Sequence, residues 1–152
     1  MSDLINHPAH YIGLNGVEAW EVIHRYQLGY ELGNAFKYLS RAGKKGDAVP
    51  DLRKARVYMQ RWLDLYTANE ADEPCALEGT VDWLTPDQVA EAFGLPDRLH
   101  DVMADMLEMA AFSLDGMRAC DVIADGLLLL GEEIAEREGT PLAGIEPEAA
   151  HV

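Results

Sequence analysis

The stretch Gly33-Asn34-Ala35-Phe36-Lys37-Tyr38-Leu39-Ser40-Arg41-Ala42-Gly43-Lys44-Lys45-Gly46-Asp47 decides the fold. Its apolar residues Ala35, Phe36, Leu39 and Ala42 recur at helical spacing. Gly43 follows as the glycine that commonly ends a helix. Lys44-Lys45-Gly46 makes a short turn, and Asp47 with Pro50 opens another helix through about Tyr66. The unit is therefore two antiparallel helices. The second has the apolar stripe Leu52, Ala55, Met59, Trp62, Leu63 and Tyr66.

Outward from this hairpin, the pattern stays helical. Residues 1–16 hold Pro8, Gly13 and Gly16 with little periodicity and read as an irregular arm. A helix is expected over 17–28 and the first hairpin helix over about 31–42. Residues 67–84 read as a linker, in which Val81-Asp82-Trp83 is a short strand or an anchor. Thr85-Pro86-Asp87-Gln88 then starts a short helix to Phe93. Helices over about 96–114 and 117–138 follow, and the tail from Gly139 reads as mobile. The predicted class is an all-α bundle of about five to six helices with little or no sheet. Its regions are 1–66, a linker over 67–84, an acidic region over 85–138 and the tail 139–152.

Charge divides the 152 residues unevenly. The chain has 12 Lys+Arg against 27 Asp+Glu, a formal net charge of −15. Eight of the 12 cations lie between Lys37 and Arg61. Residues 1–66 carry nine Lys/Arg against seven Asp/Glu, whereas residues 67–152 carry three against twenty. An acidic body repels duplex phosphates, so nucleic acid is an unlikely partner, while a small anion that meets only the basic patch fits. No apolar run reaches membrane-span length, and Met1-Ser2-Asp3-Leu4 lacks a basic leader, so neither a membrane segment nor a secretory signal is expected. Cys75 and Cys120 stand far apart, as free thiols in a reducing cytoplasm do.

Asn34, Lys37, Tyr38 and Arg41 are spaced i, i+3, i+4, i+7 and share one helix face. Asp51, Lys54, Tyr58 and Arg61 share a face of the next helix. Such cations clamp phosphate oxygens, Arg bidentately and Lys as a point charge, and Tyr38 or Tyr58 is placed to stack on a base. A solvated basic face that balances the acidic half is the plain alternative. His7 and His10, around Pro8, suit phosphate binding or acid–base work. A stapled arm with satisfied histidines is the favoured alternative to that. Asp47 and Asp51 either hold Mg²⁺ or cap the third helix, capping being the favoured reading because Asp is common at helix starts.

Asn6-His7-Pro8-x-His10-Tyr11, then Gly16-Val17-Glu18 to Val22-Ile23, then the Gly33–Asp47 run and Asp51-Leu52-x-Lys54-Ala55, together resemble the phage-encoded SaV-like family, long described as a domain of unknown function. That family includes a phage kinase of deoxynucleoside monophosphates. The resemblance covers about residues 5–66. It implies a phage-type nucleotide-binding protein in the cytoplasm of a bacterial host. The expected activity is a (deoxy)nucleoside monophosphate kinase without a P-loop, because no glycine has the G-x-x-x-x-G-K-[ST] context. A nucleoside triphosphate would then be the phosphate donor, with Mg²⁺ a candidate but not indicated by the sequence. His10, Lys37 and Arg41 are assigned to catalysis, and His7, Tyr11, Asn34, Tyr38, Lys44, Lys45, Asp47, Asp51 and Lys54 to ligand binding, with no metal ligands.

Two further functions compete. One is a non-catalytic phage protein that sequesters a nucleotide or nucleotide-derived host immune signal. The other is an all-α pyrophosphohydrolase using Glu132-Glu133-Ile134-Ala135-Glu136, preceded by Asp121 and Asp125, with Asp101, Asp105 and Glu108 as partner acids. A solvated acidic face is favoured over that last reading. Leu84 to Leu95 has the cadence of a helix-turn-helix DNA reader, but the helix after it offers only Arg98 and His100 against many acids. Apolar faces with Trp, Met and Leu point to a homo-oligomer.

Overall fold

Tyr26 shows how the chain closes on itself. Its ring is fully buried, and its hydroxyl donates to the Leu84 carbonyl at 2.9 Å, tying the end of the first helix to a segment 58 residues away. Burial pushes this phenol up to about 12. The computed structural model describes residues 5, 7–44, 46–114 and 116–139, without the side chains of Asn15 and Gly116. Lys45 and the expected tail beyond Gly139 lie outside the described residues.

The described residues form seven α-helices: α1 (Ala19–Arg25), α2 (Gly29–Arg41), α3 (Ala48–Thr67), α4 (Thr80–Trp83), α5 (Pro86–Phe93), α6 (Asp97–Ala111) and α7 (Gly116–Glu138). Two 3₁₀ turns, Ala9–Tyr11 and Leu14–Gly16, shape the arm. The single bridge between Ile12 and Glu18 closes the arm on itself, and no strand is present among the described residues. The all-α class holds. The helix count exceeds five to six because Val81-Asp82-Trp83 is the turn α4 rather than a strand. Gly29 starts α2 instead of following α1 as a separate break.

Local chemistry explains the boundaries. The Asp47 carboxylate accepts from the Val49 N–H at 3.0 Å and caps α3. Thr85 and Gln88 form a reciprocal capping box at α5, and Gly94 ends that helix in the left-handed region at φ 67°.

α2 and α3 pack as the expected antiparallel hairpin, and α3 continues onto α7, which α6 flanks. One core joins these elements. It runs from Leu32, Phe36 and Leu39 through Leu52, Met59 and Trp62 to Met103, Leu107, Ile123 and Leu130. A Cβ at Gly126 would stand 2.8 Å from Met59 Cε, so the glycine lets α3 and α7 approach closely. Residues 68–79 are irregular but tied down. The Ala76 N–H donates to the Ala110 carbonyl (3.0 Å), and the Leu77 N–H donates to the Arg25 carbonyl (2.7 Å). No helix among the described residues is long and apolar enough to cross a membrane.

Candidate functional site

The site grows from the α2–α3 hairpin. Residues 30, 34, 37, 38 and 41 fall on one face of α2, and residues 51, 54, 58 and 61 fall on the facing side of α3. Packing of the two helices brings their tyrosines into a ladder. Tyr38 stacks on Tyr58 at 6.0 Å between ring centres and 16° between planes, and Tyr30 meets Tyr58 edge-on at 5.9 Å. A hydrogen bond with the Tyr58 hydroxyl pushes the Tyr30 phenol up.

Cations surround this ladder. Lys37 Nζ lies 4.7 Å and Lys54 Nζ 5.3 Å from the Tyr38 ring centre, and Arg41 Cζ lies 5.5 Å from it. Arg61 Cζ stands 5.1 Å over Tyr58. The negative faces of the rings hold these cations in place. Among the described residues no carboxylate forms an ion pair with Lys37, Lys54 or Arg61. Elsewhere in the chain Arg25, Arg53, Arg98 and Arg137 each have a glutamate partner, while Arg56 and Arg118 form no ion pair among the described residues. A protein of net charge −15 thus leaves three cations unneutralised on one aromatic surface.

Arg41 behaves differently. Its Nη1 donates to the Tyr11 hydroxyl at 2.8 Å, and its Nε stands 3.0 Å from Asp51 Oδ1. Asp51 is buried. The Nε–Oδ1 contact is an ion pair whose N–H does not point squarely at the oxygen, which leaves Nε without a well-formed hydrogen bond. The Tyr11 hydroxyl first, and then Asp51, hold the Arg41 guanidinium above its ordinary value despite some burial. Arg41 therefore locks the arm to the hairpin. The arm is also clamped from the other side, because a Cβ at Gly13 would stand 2.8 Å from the Ala92 carbonyl oxygen of α5.

The structure brings together Tyr11, Lys37, Tyr38, Arg41, Asp51 and Lys54 of the sequence-assigned set. His10 adjoins them through its ring, 4.2 Å from that of Tyr11. The other described members of the set are engaged in local contacts. His7 Nδ1 pairs with Glu18, and that contact draws the Glu18 carboxyl below its usual range. The Asn34 amide donates to the Tyr30 carbonyl at 2.8 Å. Lys44 turns its ammonium inward, donating to the Ser40 carbonyl (2.7 Å) and lying 4.9 Å over the Phe93 ring. Burial there lowers its pKa. Asp47 caps α3. Base stacking on Tyr38 meets a crowded ring, since Tyr58 and three cations already lie against it. Tyr30 escaped the sequence reading, although its position four residues before Asn34 is the signal that places it on the same face.

The acidic alternative site is built for a different job. Glu132, Glu133 and Glu136 converge on Arg98 at 3.6, 2.9 and 2.6 Å, and Arg137 adds a contact to Glu133 at 3.2 Å. The Arg98 contacts bridge α6 and α7, and the Arg137 contact lies within α7. Among the described residues no three His, Cys, Asp or Glu side chains are grouped to hold a metal ion. A surface cleft of about 400 Å³ lies at Arg98, and another of about 520 Å³ at Asp47 and Glu138; neither is lined by a ladder tyrosine. The exposed face of α6 carries Asp101, Asp105 and Glu108.

Residues 5–60 match the model of a family described as a protein of unknown function (DUF3310). This part of the chain is phage-related. Over 64 residues the sequence is 44% identical to the Gene 1.7 protein of Enterobacteria phage T3, covering 37% of this chain. The chain spans 39% of the length of that curated relative. No solved structure matches. The matched residues hold the arm, α1, α2 and most of α3, and so contain the tyrosine ladder and most of its cations.

Proposed function

We propose that the α2–α3 face binds the phosphate of a nucleotide. The observation that carries this reading is the group of unneutralised cations, Lys37, Lys54 and Arg61, held against stacked tyrosines. Each ring fixes its cation at little entropic cost, and the nearby like charges repel until an anion arrives. Arg41 and Asp51 serve as the frame, and Tyr11 closes the arm against it.

The kinase activity implied by the family resemblance uses the same cations to position donor and acceptor phosphates, because phosphoryl transfer is mostly positioning and charge stabilisation. His10, beside Tyr11, is then the group within reach for proton transfer. The residues present do not fit a protein-built Mg²⁺ site: Asp47 caps a helix and Asp51 is paired with Arg41. That same commitment of carboxylates favours the second reading, a phage protein that sequesters a nucleotide without chemistry. Exposed Trp20, Met117 and Leu128 support self-association in either case.

The test is incubation of the purified protein with mixed deoxynucleoside mono- and triphosphates, with and without Mg²⁺, followed by mass spectrometry. Enrichment of a nucleotide with the wild type, and its loss in Lys37→Met/Lys54→Met, is the expected result. New diphosphate identifies a kinase, and intact ligand identifies sequestration. No enrichment, or enrichment unchanged in the double variant, refutes phosphate binding at this face.

A further inference from the structure

The crowding of Tyr38 and Tyr58 raises the question of where a base would lie. Tyr58 stacks on Tyr38, makes a T-shaped contact with Tyr30 and lies beneath Arg61. Tyr38 lies against Tyr58, Lys37, Lys54 and Arg41. Tyr30 ends the ladder and is 66% exposed, the most open of the three rings. It is nevertheless fixed at its base: it sits in the first turn of α2, its carbonyl accepts from the Asn34 amide, and its ring abuts Tyr58. A large ring that is both exposed and held in place is what a stacking platform requires, since little side-chain entropy remains to be lost on binding.

We propose that Tyr30 is the base-stacking platform of this site, with the nucleotide lying along the ladder from Tyr30 to the Lys37 and Lys54 ammoniums. The inference rests on the phosphate-binding reading above and adds the residue that recognises the other end of the ligand. Arg61, over the intervening Tyr58, lies between base and phosphate and steers the ligand along the ladder. Stacking on one tyrosine is tolerant of base identity, because every base has a π-face. Tyr30 therefore contributes affinity for nucleotides over inorganic phosphates, rather than a choice among bases.

The experiment compares calorimetric binding of deoxynucleoside monophosphates and of inorganic pyrophosphate to the full chain. It uses wild type, Tyr30→Ala, Tyr30→Phe and Lys37→Met/Lys54→Met. Tyr30→Ala is expected to weaken the nucleotides by roughly 5- to 100-fold, the range of one lost base–aromatic stack, and to leave pyrophosphate within about twofold. Tyr30→Phe is expected to keep most of the nucleotide affinity, because the ring rather than the hydroxyl does the stacking. Its thermal melt also separates loss of stacking from loss of the Tyr58 contact. Unchanged nucleotide binding in Tyr30→Ala, with binding lost in the lysine double variant, overturns the Tyr30 assignment and leaves phosphate binding intact. Equal losses of nucleotide and pyrophosphate in Tyr30→Ala also overturn it. If wild type binds neither ligand, both readings fall.

Discussion

Breaking the Arg41–Asp51 pair tests whether the arm is held by this contact. Asp51 is 4% exposed and the Arg41 side chain 19%, with 3.0 Å between Nε and Oδ1. Removing one member of a fully buried pair typically costs about 3–5 kcal/mol, because the other charge stays desolvated. Arg41 retains the Tyr11 hydroxyl and some water, so Asp51→Leu is expected to cost about 2–4 kcal/mol. For a chain of this size that lowers Tm by about 5–15 °C. Arg41→Met strands the Asp51 carboxylate and removes the Tyr11 contact, so its cost is at least as large. The double variant replaces both charges with apolar groups and is expected to regain about 1–3 kcal/mol relative to the sum of the single changes. Urea titrations of all four proteins measure this coupling. Limited proteolysis should show faster cleavage within residues 5–16 in both proteins that lack Arg41. A loss below about 0.5 kcal/mol in Asp51→Leu, or additive effects in the cycle, would refute a buried, coupled pair.

Other expectations follow from single contacts. Tyr26→Phe leaves the Leu84 carbonyl without its donor and should cost about 1–2 kcal/mol by urea titration, with nucleotide binding unchanged. Burial first, and then Asp101 and Glu108, hold the Asp105 carboxyl above its usual value. Such a group binds its proton more tightly in the folded state, so the native form is penalised above that pKa and relieved as pH falls through it. Asp105→Asn should therefore stabilise the protein at pH 7, by about 0.5 kcal/mol or less given the exposure of the group, and the gain should shrink toward pH 4. A gain that grows on acidification would contradict this assignment. Glu133→Gln/Glu136→Gln should lower Tm by loosening Arg98 between α6 and α7, yet leave nucleotide binding and any turnover unchanged.

The hairpin was readable because its signals are local. Helical spacing set the α2 face, Gly43 ended the helix, and Asp47 with Pro50 began the next. The Thr85 cap followed by Pro86, and the Gly94-Leu95-Pro96-Asp97 turn, gave α5 for the same reason. α4 was misread because four residues are too few to display a period, and Val81 and Trp83 favour strands by propensity. Tertiary pairing decided the roles of the charged groups. Sequence spacing placed Lys44 in the cation cluster, but a lysine just past a helix end can fold back on its last carbonyls, and Ser40 and Phe93 captured it. It placed Asp51 among ligand groups, whereas its partner is Arg41 across the hairpin. Tyr30 needed the α3 neighbour, since only the position of Tyr58 shows that Tyr30 joins the aromatic cluster, edge-on rather than stacked.

If the basic face binds a nucleotide as proposed, the acidic half would give it selectivity against longer polyanions. α7 packs on α3 and α6 flanks α7, so the acidic half cannot be removed without exposing α3 core residues such as Met59, whose side chain meets Gly126. Their outer surfaces carry Asp101, Asp105, Glu108, Asp121, Asp125 and Glu132, all exposed. A long polyanion would be repelled by the net charge of −15, at a cost that grows with each phosphate it brings near the protein. A single nucleotide stays within reach of Lys37, Lys54 and Arg61 and avoids that cost. The same field makes affinity depend on salt in opposite directions. Added salt should weaken a mononucleotide by screening the three cations, while it relieves the repulsion of a single-stranded oligonucleotide. Titrating both ligands from low to high ionic strength should therefore bring their affinities together. If instead the oligonucleotide binds more tightly than the mononucleotide at low salt, the acidic body does not screen the face, and the ladder serves a nucleic-acid strand.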